Sequence, residues 1–260
     1  MLSTNESMVI DWFANSSPAP REELVHLARL AEQAERYEDM ASAMKSVAEK
    51  GRELGVEERN LLSVAYKNFI SPRRISWRLI AGIEVKMNDT NDRKRANIKE
   101  FRQQIESELQ KICTEVQNLL DDHLLKNARS DESIIFYYKM KGDYYRYLAE
   151  TSIGNDRGVI IENADRTYSF ASKSAEEKLA CTHPIRLGLA LNYSVFLQEI
   201  KNESSAAISL AKAAYSAAIQ ELDKLPSDES YKDASLLMQL LRDNITLWSA
   251  EHCGDSDKSN

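Results

Sequence analysis

Lys139-Met-Lys-Gly-Asp-Tyr-Tyr-Arg-Tyr-Leu-Ala-Glu150 reads as a helix that carries charge where a core helix should be apolar. At 3.6 residues per turn Lys139, Asp143, Arg146 and Glu150 share one face, with Tyr147 beside Arg146. Asp143 lies one turn before Arg146 and is placed to brace it, leaving part of the guanidinium fork free. A second stretch, Asn60-Leu-Leu-Ser-Val-Ala-Tyr-Lys-Asn-Phe-Ile-Ser-Pro-Arg-Arg-Ile-Ser-Trp-Arg78, puts Lys67 and Arg74 seven apart, again on one helical face. If the two faces meet, two guanidinium forks, an ammonium and a phenol converge. That set suits a tetrahedral dianion, because guanidinium matches phosphate oxygens bidentately and tyrosine adds a neutral donor. From the residues alone, salt bridging to Asp143 and Glu150 explains the same basic groups equally well.

Composition sets the class. The 260 residues contain 8 Gly and 5 Pro, about half the usual share, so turns are few and elements long. No run alternates apolar and polar residues for more than a few positions, while Ala, Leu, Glu, Lys and Gln recur at helical spacing. The expectation is all-α. A formal net charge of -7 with 29% charged residues of both signs argues against a nucleic-acid binder, since a polyanion needs a basic surface. Three scattered cysteines, Cys113, Cys181 and Cys253, make neither a disulfide framework nor a zinc site and predict a reducing compartment, cytosol or nucleus. No apolar run reaches the roughly 20 residues of a membrane span, and Met1 to Asn15 lacks the basic opening of a secretory signal.

The resemblance that follows is carried by four segments in order: Arg59 to Asn68, Lys139 to Glu150, Thr182-His-Pro-Ile-Arg-Leu-Gly-Leu-Ala-Leu-Asn192, and Tyr231-Lys-Asp-Ala-Ser-Leu-Leu-Met-Gln-Leu-Leu-Arg-Asp-Asn-Ile-Thr-Leu-Trp248. Through them the chain resembles the 14-3-3 protein family from about Glu22 to about Glu251. The resemblance implies nine antiparallel helices in a curved array with a concave amphipathic groove, homodimeric through the N-terminal helices. It implies an adaptor for phosphorylated client proteins, with no cofactor and no catalysis, that binds no nucleic acid and no membrane. Lys67, Arg74, Arg146 and Tyr147 would grip the phosphate of a phosphoserine or phosphothreonine. Lys139, Glu199 and Trp248 would flank the peptide, and Leu191, Val195, Leu237, Leu240 and Leu247 would form an apolar wall.

Two asparagines on that wall have a reading of their own. Asn192 and Asn244 each sit on an otherwise apolar helical face, where an amide must find partners or cost about 1 to 3 kcal/mol. Each either bonds a neighbouring helix end or water, or holds the main chain of an extended peptide with one donor and one acceptor. The resemblance supports the second.

Along the chain, residues 1–21 form a polar extension ending in Ser16-Ser-Pro-Ala-Pro20, with Trp12 and Phe13 in a weakly packed arm. Residues 22–251 are the helical domain and 252–260 a loose tail. The first helix begins near Arg21 with a narrow stripe of Leu24, Leu27, Leu30, Ala31 and Ala34, suited to packing on a neighbour. A second helix spans about Tyr37 to Glu49. A third spans about Val56 to Lys86 and should kink at Pro72, where the resembling proteins carry a small residue. The next, about Asp92 to Leu120, buries Ile98, Phe101, Ile105, Leu109, Ile112 and Val116. After the opening stretch, helices are expected at about Glu162 to Leu179, 185–200, 204–222 and 229–250.

The resemblance places Leu30, Ala34, Arg36, Asp39, Ser76, Phe101, Gln104 and Glu108 at the dimer contact. Gln104 stands where a lysine is common and Phe101 where a tyrosine is common, so one intersubunit ion pair is missing and a weaker dimer is expected. Heterodimers with sister proteins stay open. Ser76 follows Arg73-Arg74-Ile75, the pattern of a basophilic kinase site. Asp121-Asp122-His123 is the nearest approach to a catalytic group, but it reads as a solvated helix end.

Overall fold

The computed structural model describes residues 19–87, 92–225 and 228–256. Trp12 and Phe13, most of the 1–21 extension, the side chain of Cys253 and residues 257–260 lie outside the described residues. Among those described there are nine helices and no strand. The chain divides into two compact units, residues 1–127 and 128–260.

The first unit holds α1 (Arg21–Gln33), α2 (Tyr37–Glu49), α3 (Val56–Lys86) and α4 (Asp92–Leu119). α1 has acidic residues in its first turn, Glu22 and Glu23, where they complement the positive end of the helix dipole. Its first residue is tied to the start of α3: Arg21 donates Nε to Glu58 Oε1 at 2.7 Å and Nη2 to Glu58 Oε2 at 2.6 Å. Glu58 also accepts from the Gly55 N–H at 2.8 Å, which satisfies one orphan donor at the head of α3. The hydrogen bonds from Arg21 hold the Glu58 carboxyl below its usual range.

Pro72 lies inside α3, and the helix runs through it from Val56 to Lys86. A proline removes one backbone donor and crowds the preceding turn. The side chains on either side reinforce that turn: Ser71 Oγ donates to the Lys67 carbonyl at 2.5 Å, and Arg73 Nη1 to the Phe69 carbonyl at 2.9 Å.

The core of this unit is Met40, Met44 and Val47 of α2, Leu62, Tyr66 and Ile70 of α3, and Leu109, Ile112 and Val116 of α4. Phe101 departs from the expected buried stripe, being 52% exposed. α4 continues through a π-helical turn, Leu120–Leu124, into Leu125–Asn127. Asp121 and Asp122 are exposed on that turn, and Asp122 pairs with Lys126 at 3.1 Å. The structure thus gives the solvated reading of Asp121-Asp122-His123 its physical partner.

The second unit holds α5 (Asp131–Thr151), α6 (Gly154–Lys178), α7 (Pro184–Glu199), α8 (Ser204–Ile219) and α9 (Asp228–Ser256). Ser130 caps α5 by accepting from the Ser133 N–H, and Pro184 opens α7 at the position where a missing donor costs nothing. α6 begins eight residues before the expected Glu162. Arg157 Nε donates to the Ala149 carbonyl at 3.2 Å and ties the first turn of α6 to α5. Alanines at Ala149, Ala164, Ala171, Ala207, Ala211, Ala218 and Ala234 are buried and let the helices approach closely around Tyr168, Leu187, Phe196, Met238 and Leu241.

Candidate functional site

In the second unit the charged face of α5 forms as its spacing predicts. Lys139 Nζ donates to Asp143 Oδ2 at 3.0 Å, and Arg146 Nη2 lies 3.6 Å from Asp143 Oδ1. Arg146 Nη1 is 3.9 Å from Glu150 Oε1, and its guanidinium lies over the Tyr147 ring, 4.7 Å from the centroid. A guanidinium over an aromatic face gains from the ring's negative charge while keeping donors in its own plane. Arg146 is 6% exposed, unusual for a cation.

Two residues that sequence reasoning missed complete the cluster. Tyr168 of α6, fully buried, donates its hydroxyl to Asp143 Oδ1 at 2.6 Å and accepts from Arg146 Nε at 3.3 Å. Gly142 makes room for it: a Cβ there would lie 2.7 Å from the Tyr168 ring. An isolated glycine inside a strongly helical stretch was the one signal that could have announced a close neighbour.

The electrostatics are self-consistent. Burial pushes the Asp143 carboxyl up, but Lys139, Arg146 and the Tyr168 hydroxyl outweigh it and hold it below the carboxylate range. Burial works against the Arg146 cation, and Tyr168, Tyr147 and Asp143 keep it charged. Burial and the neighbouring Asp143 push the Tyr168 phenol well above its ordinary value, so it stays a donor.

α7 joins the same cluster through Asn192, whose Nδ2 donates to Asp143 Oδ1 at 2.8 Å. The amide therefore has an internal partner, and only part of it faces outward. Leu191 and Val195 are half-buried and Glu199 exposed on α7; on α9 Leu237 and Asn244 are half-buried, and Leu240 and Leu247 exposed. Asn244 makes no side-chain hydrogen bond among the described residues. Trp248, expected to flank a peptide, is 6% exposed and packs with the buried residues of the second unit.

In the first unit the Lys67 side chain is exposed on α3 without a salt-bridge or hydrogen-bond partner among the described residues, and Arg74 is half-buried seven residues on. Leu30 and Phe101 are 48% and 52% exposed, while Ala34, Ser76 and Gln104 are exposed. Arg36 pairs with Asp39, and Glu108 accepts from Arg73 Nε at 3.0 Å. A cleft of about 640 Å³ between α2 and α4, lined by Lys45, Glu115 and His123 among others, contains none of the expected site residues.

The sequence profile of the 14-3-3 protein family matches residues 27–249. The chain belongs to the 14-3-3 family. It is 55% identical over 233 residues to 14-3-3 protein theta of Gallus gallus, an alignment covering 90% of this chain and 94% of the relative. It is 55% identical over 235 residues to 14-3-3 protein beta/alpha of Homo sapiens, covering 90% and 95%. Membership in the 14-3-3 family supports a phosphopeptide-binding adaptor role, that of a binder rather than an enzyme. No described helix is long and apolar enough to cross a membrane. Among the described residues no group of three or more His, Cys, Asp or Glu side chains could hold a metal ion.

Proposed function

We propose that this 14-3-3 protein clamps phosphoserine or phosphothreonine segments of client proteins and so controls their activity, location or contacts. Lys67, Arg74, Arg146 and Tyr147 grip the phosphate. Lys139, Glu199 and Trp248 flank the peptide, Leu191, Val195, Leu237, Leu240 and Leu247 take its side chains, and Asn192 and Asn244 hold its main chain.

The observation that carries this reading is Arg146: a guanidinium kept charged although almost wholly buried. A phosphate bearing about two negative charges near neutral pH takes several charge-assisted hydrogen bonds at once, each worth on the order of 1.5 to 3 kcal/mol. An unmodified serine brings no charge and can make none of these charge-assisted bonds. Discrimination follows from that difference, and a single short peptide binds in the micromolar range.

The protein acts as a homodimer through α1, α3 and α4, in the cytosol with the nucleus open to it. Exposed Leu30, Ile75 (68% exposed) and Phe101 support an apolar contact there. Two grooves on one client with two phosphosites add about 10² to 10⁴ in avidity when the linker spans them. Gln104 offers no charge for an intersubunit ion pair, so the dimer is weaker than one carrying lysine there, by about 0 to 1 kcal/mol. Ser76 is exposed beside Arg73 and Arg74, and a phosphate placed on it favours monomer by repelling nearby carboxylates.

The test is fluorescence anisotropy with an Arg-x-x-phosphoSer-x-Pro peptide and its unphosphorylated twin. Binding that survives dephosphorylation would replace this reading with a scaffold that recognises unmodified peptides through the apolar wall. Sedimentation showing only monomer at tens of micromolar would remove the dimer.

A further inference from the structure

Asp143 is one carboxylate with four partners. Oδ2 takes Lys139 Nζ at 3.0 Å; Oδ1 takes the Tyr168 hydroxyl at 2.6 Å and Asn192 Nδ2 at 2.8 Å, with Arg146 Nη2 at 3.6 Å. These partners come from three helices, α5, α6 and α7, and Asp143 itself is buried. An ionised carboxylate only accepts hydrogen bonds. The Asn192 amide must therefore turn its NH2 toward Asp143, which commits one of its two N–H donors and fixes the direction in which its carbonyl oxygen points. An asparagine without that partner rotates freely between donor and acceptor. Tyr168 cannot replace the carboxylate but aims it, since its hydroxyl donates to Asp143 Oδ1 while accepting from Arg146 Nε at 3.3 Å.

We propose that Asp143, aligned by Tyr168, is a positioning residue that fixes the orientation of the Asn192 amide, so that its carbonyl oxygen is held ready for a ligand main-chain N–H while the same carboxylate holds the Lys139 and Arg146 cations in place. Grip on charge and grip on backbone are then set by one buried group. The proposal rests on the phosphopeptide reading above for the identity of the ligand, but the orientation of Asn192 does not.

The experiment uses the full chain and the variants Asp143→Asn, Tyr168→Phe, Asn192→Ala and the double variant Asp143→Asn/Asn192→Ala, each checked by circular dichroism. Asparagine-selective ¹⁵N labelling first reads the Asn192 side-chain NH2 signal without any peptide. The expected result is a signal displaced in Asp143→Asn and, less so, in Tyr168→Phe. Anisotropy with the phosphopeptide is then expected to weaken about tenfold or more for Asp143→Asn. Losses from Asp143→Asn and Asn192→Ala should fall well short of additive, the mark of groups that act together.

An Asn192 signal unmoved in both variants, or fully additive losses, overturns the proposal. Should Asp143→Asn fail to fold, Tyr168→Phe removes one hydroxyl alone and answers the same question. A wild-type chain that ignores phosphate defeats the functional reading, and the amide signal still decides this one.

Discussion

Lys67 of α3 and Arg146 of α5 carry the same charge in opposite physical situations. The Lys67 side chain stands exposed without a partner among the described residues. Arg146 is nearly buried, stacked over Tyr147 and joined to Tyr168 and Asp143. A cation wired into a core is held in place before any ligand arrives and loses little freedom on binding. A solvated one must be ordered at that moment, at roughly 0.5 to 1.5 kcal/mol for a long side chain. On the proposed reading, Arg146 brings preorganisation and Lys67 adaptability.

The sharpest way to break this contrast is a pair of truncations. Arg146→Ala should abolish measurable phosphopeptide binding and also lower stability by about 3 kcal/mol or more, because it strips a partner from buried Asp143. Arg74→Ala should weaken binding about ten- to a hundredfold, the loss of one or two charge-assisted bonds, at a smaller cost in stability because its side chain is half-buried rather than buried. Equal thermal effects would show that the two arginines are equally structural.

A second pair lies within the second unit. Gly142→Ala should destabilise by about 1 to 3 kcal/mol and weaken phosphopeptide binding, since the new methyl meets the Tyr168 ring. Gly158→Ala meets nothing within 4 Å, and should stabilise α6 by about 0.5 to 1 kcal/mol through helix propensity alone. Denaturant titration checks both.

In the first unit Pro72→Ala restores a backbone donor to α3 and should raise stability by about 1 to 3 kcal/mol, read as a higher melting temperature. An unchanged melting temperature would mean that Ser71 and Arg73 already offset the proline fully.

The smallest effect concerns acid. Glu58 and Asp143 are both held below the ordinary carboxylate range. Each therefore contributes stability that is complete above about pH 4 to 4.5 and lost as pH falls through its lower folded value. Glu58→Gln should remove a small part of the acid sensitivity of melting between about pH 4.5 and 2, and none at pH 7 beyond the loss of the Arg21 tie. The half-exposed site screens that contribution. An acid profile identical to wild type would show that the Arg21 tie carries no proton linkage.

Much of the fold was readable because helices are periodic and locally capped. Tyr37–Glu49 appears at its expected ends, and the face of Lys139, Asp143, Arg146 and Glu150 follows from 3.6 residues per turn. Two departures share one cause. α6 was expected to begin near Glu162 but begins at Gly154, with Arg157 reaching the Ala149 carbonyl. Phe101 fits an apolar stripe yet stays exposed. Periodicity says which residues share a face, not what that face meets.

The chain by itself determined the helices, the charged face of α5 and membership in the 14-3-3 family, because local spacing and matched segments are properties of sequence. Tertiary structure alone decided that Tyr168 reaches Asp143, that Gly142 clears its path, and that Asn192 turns its NH2 inward. Those contacts join residues 25 and 49 positions apart, and a separation of that size leaves no local pattern. Only packing brings such groups within a hydrogen bond.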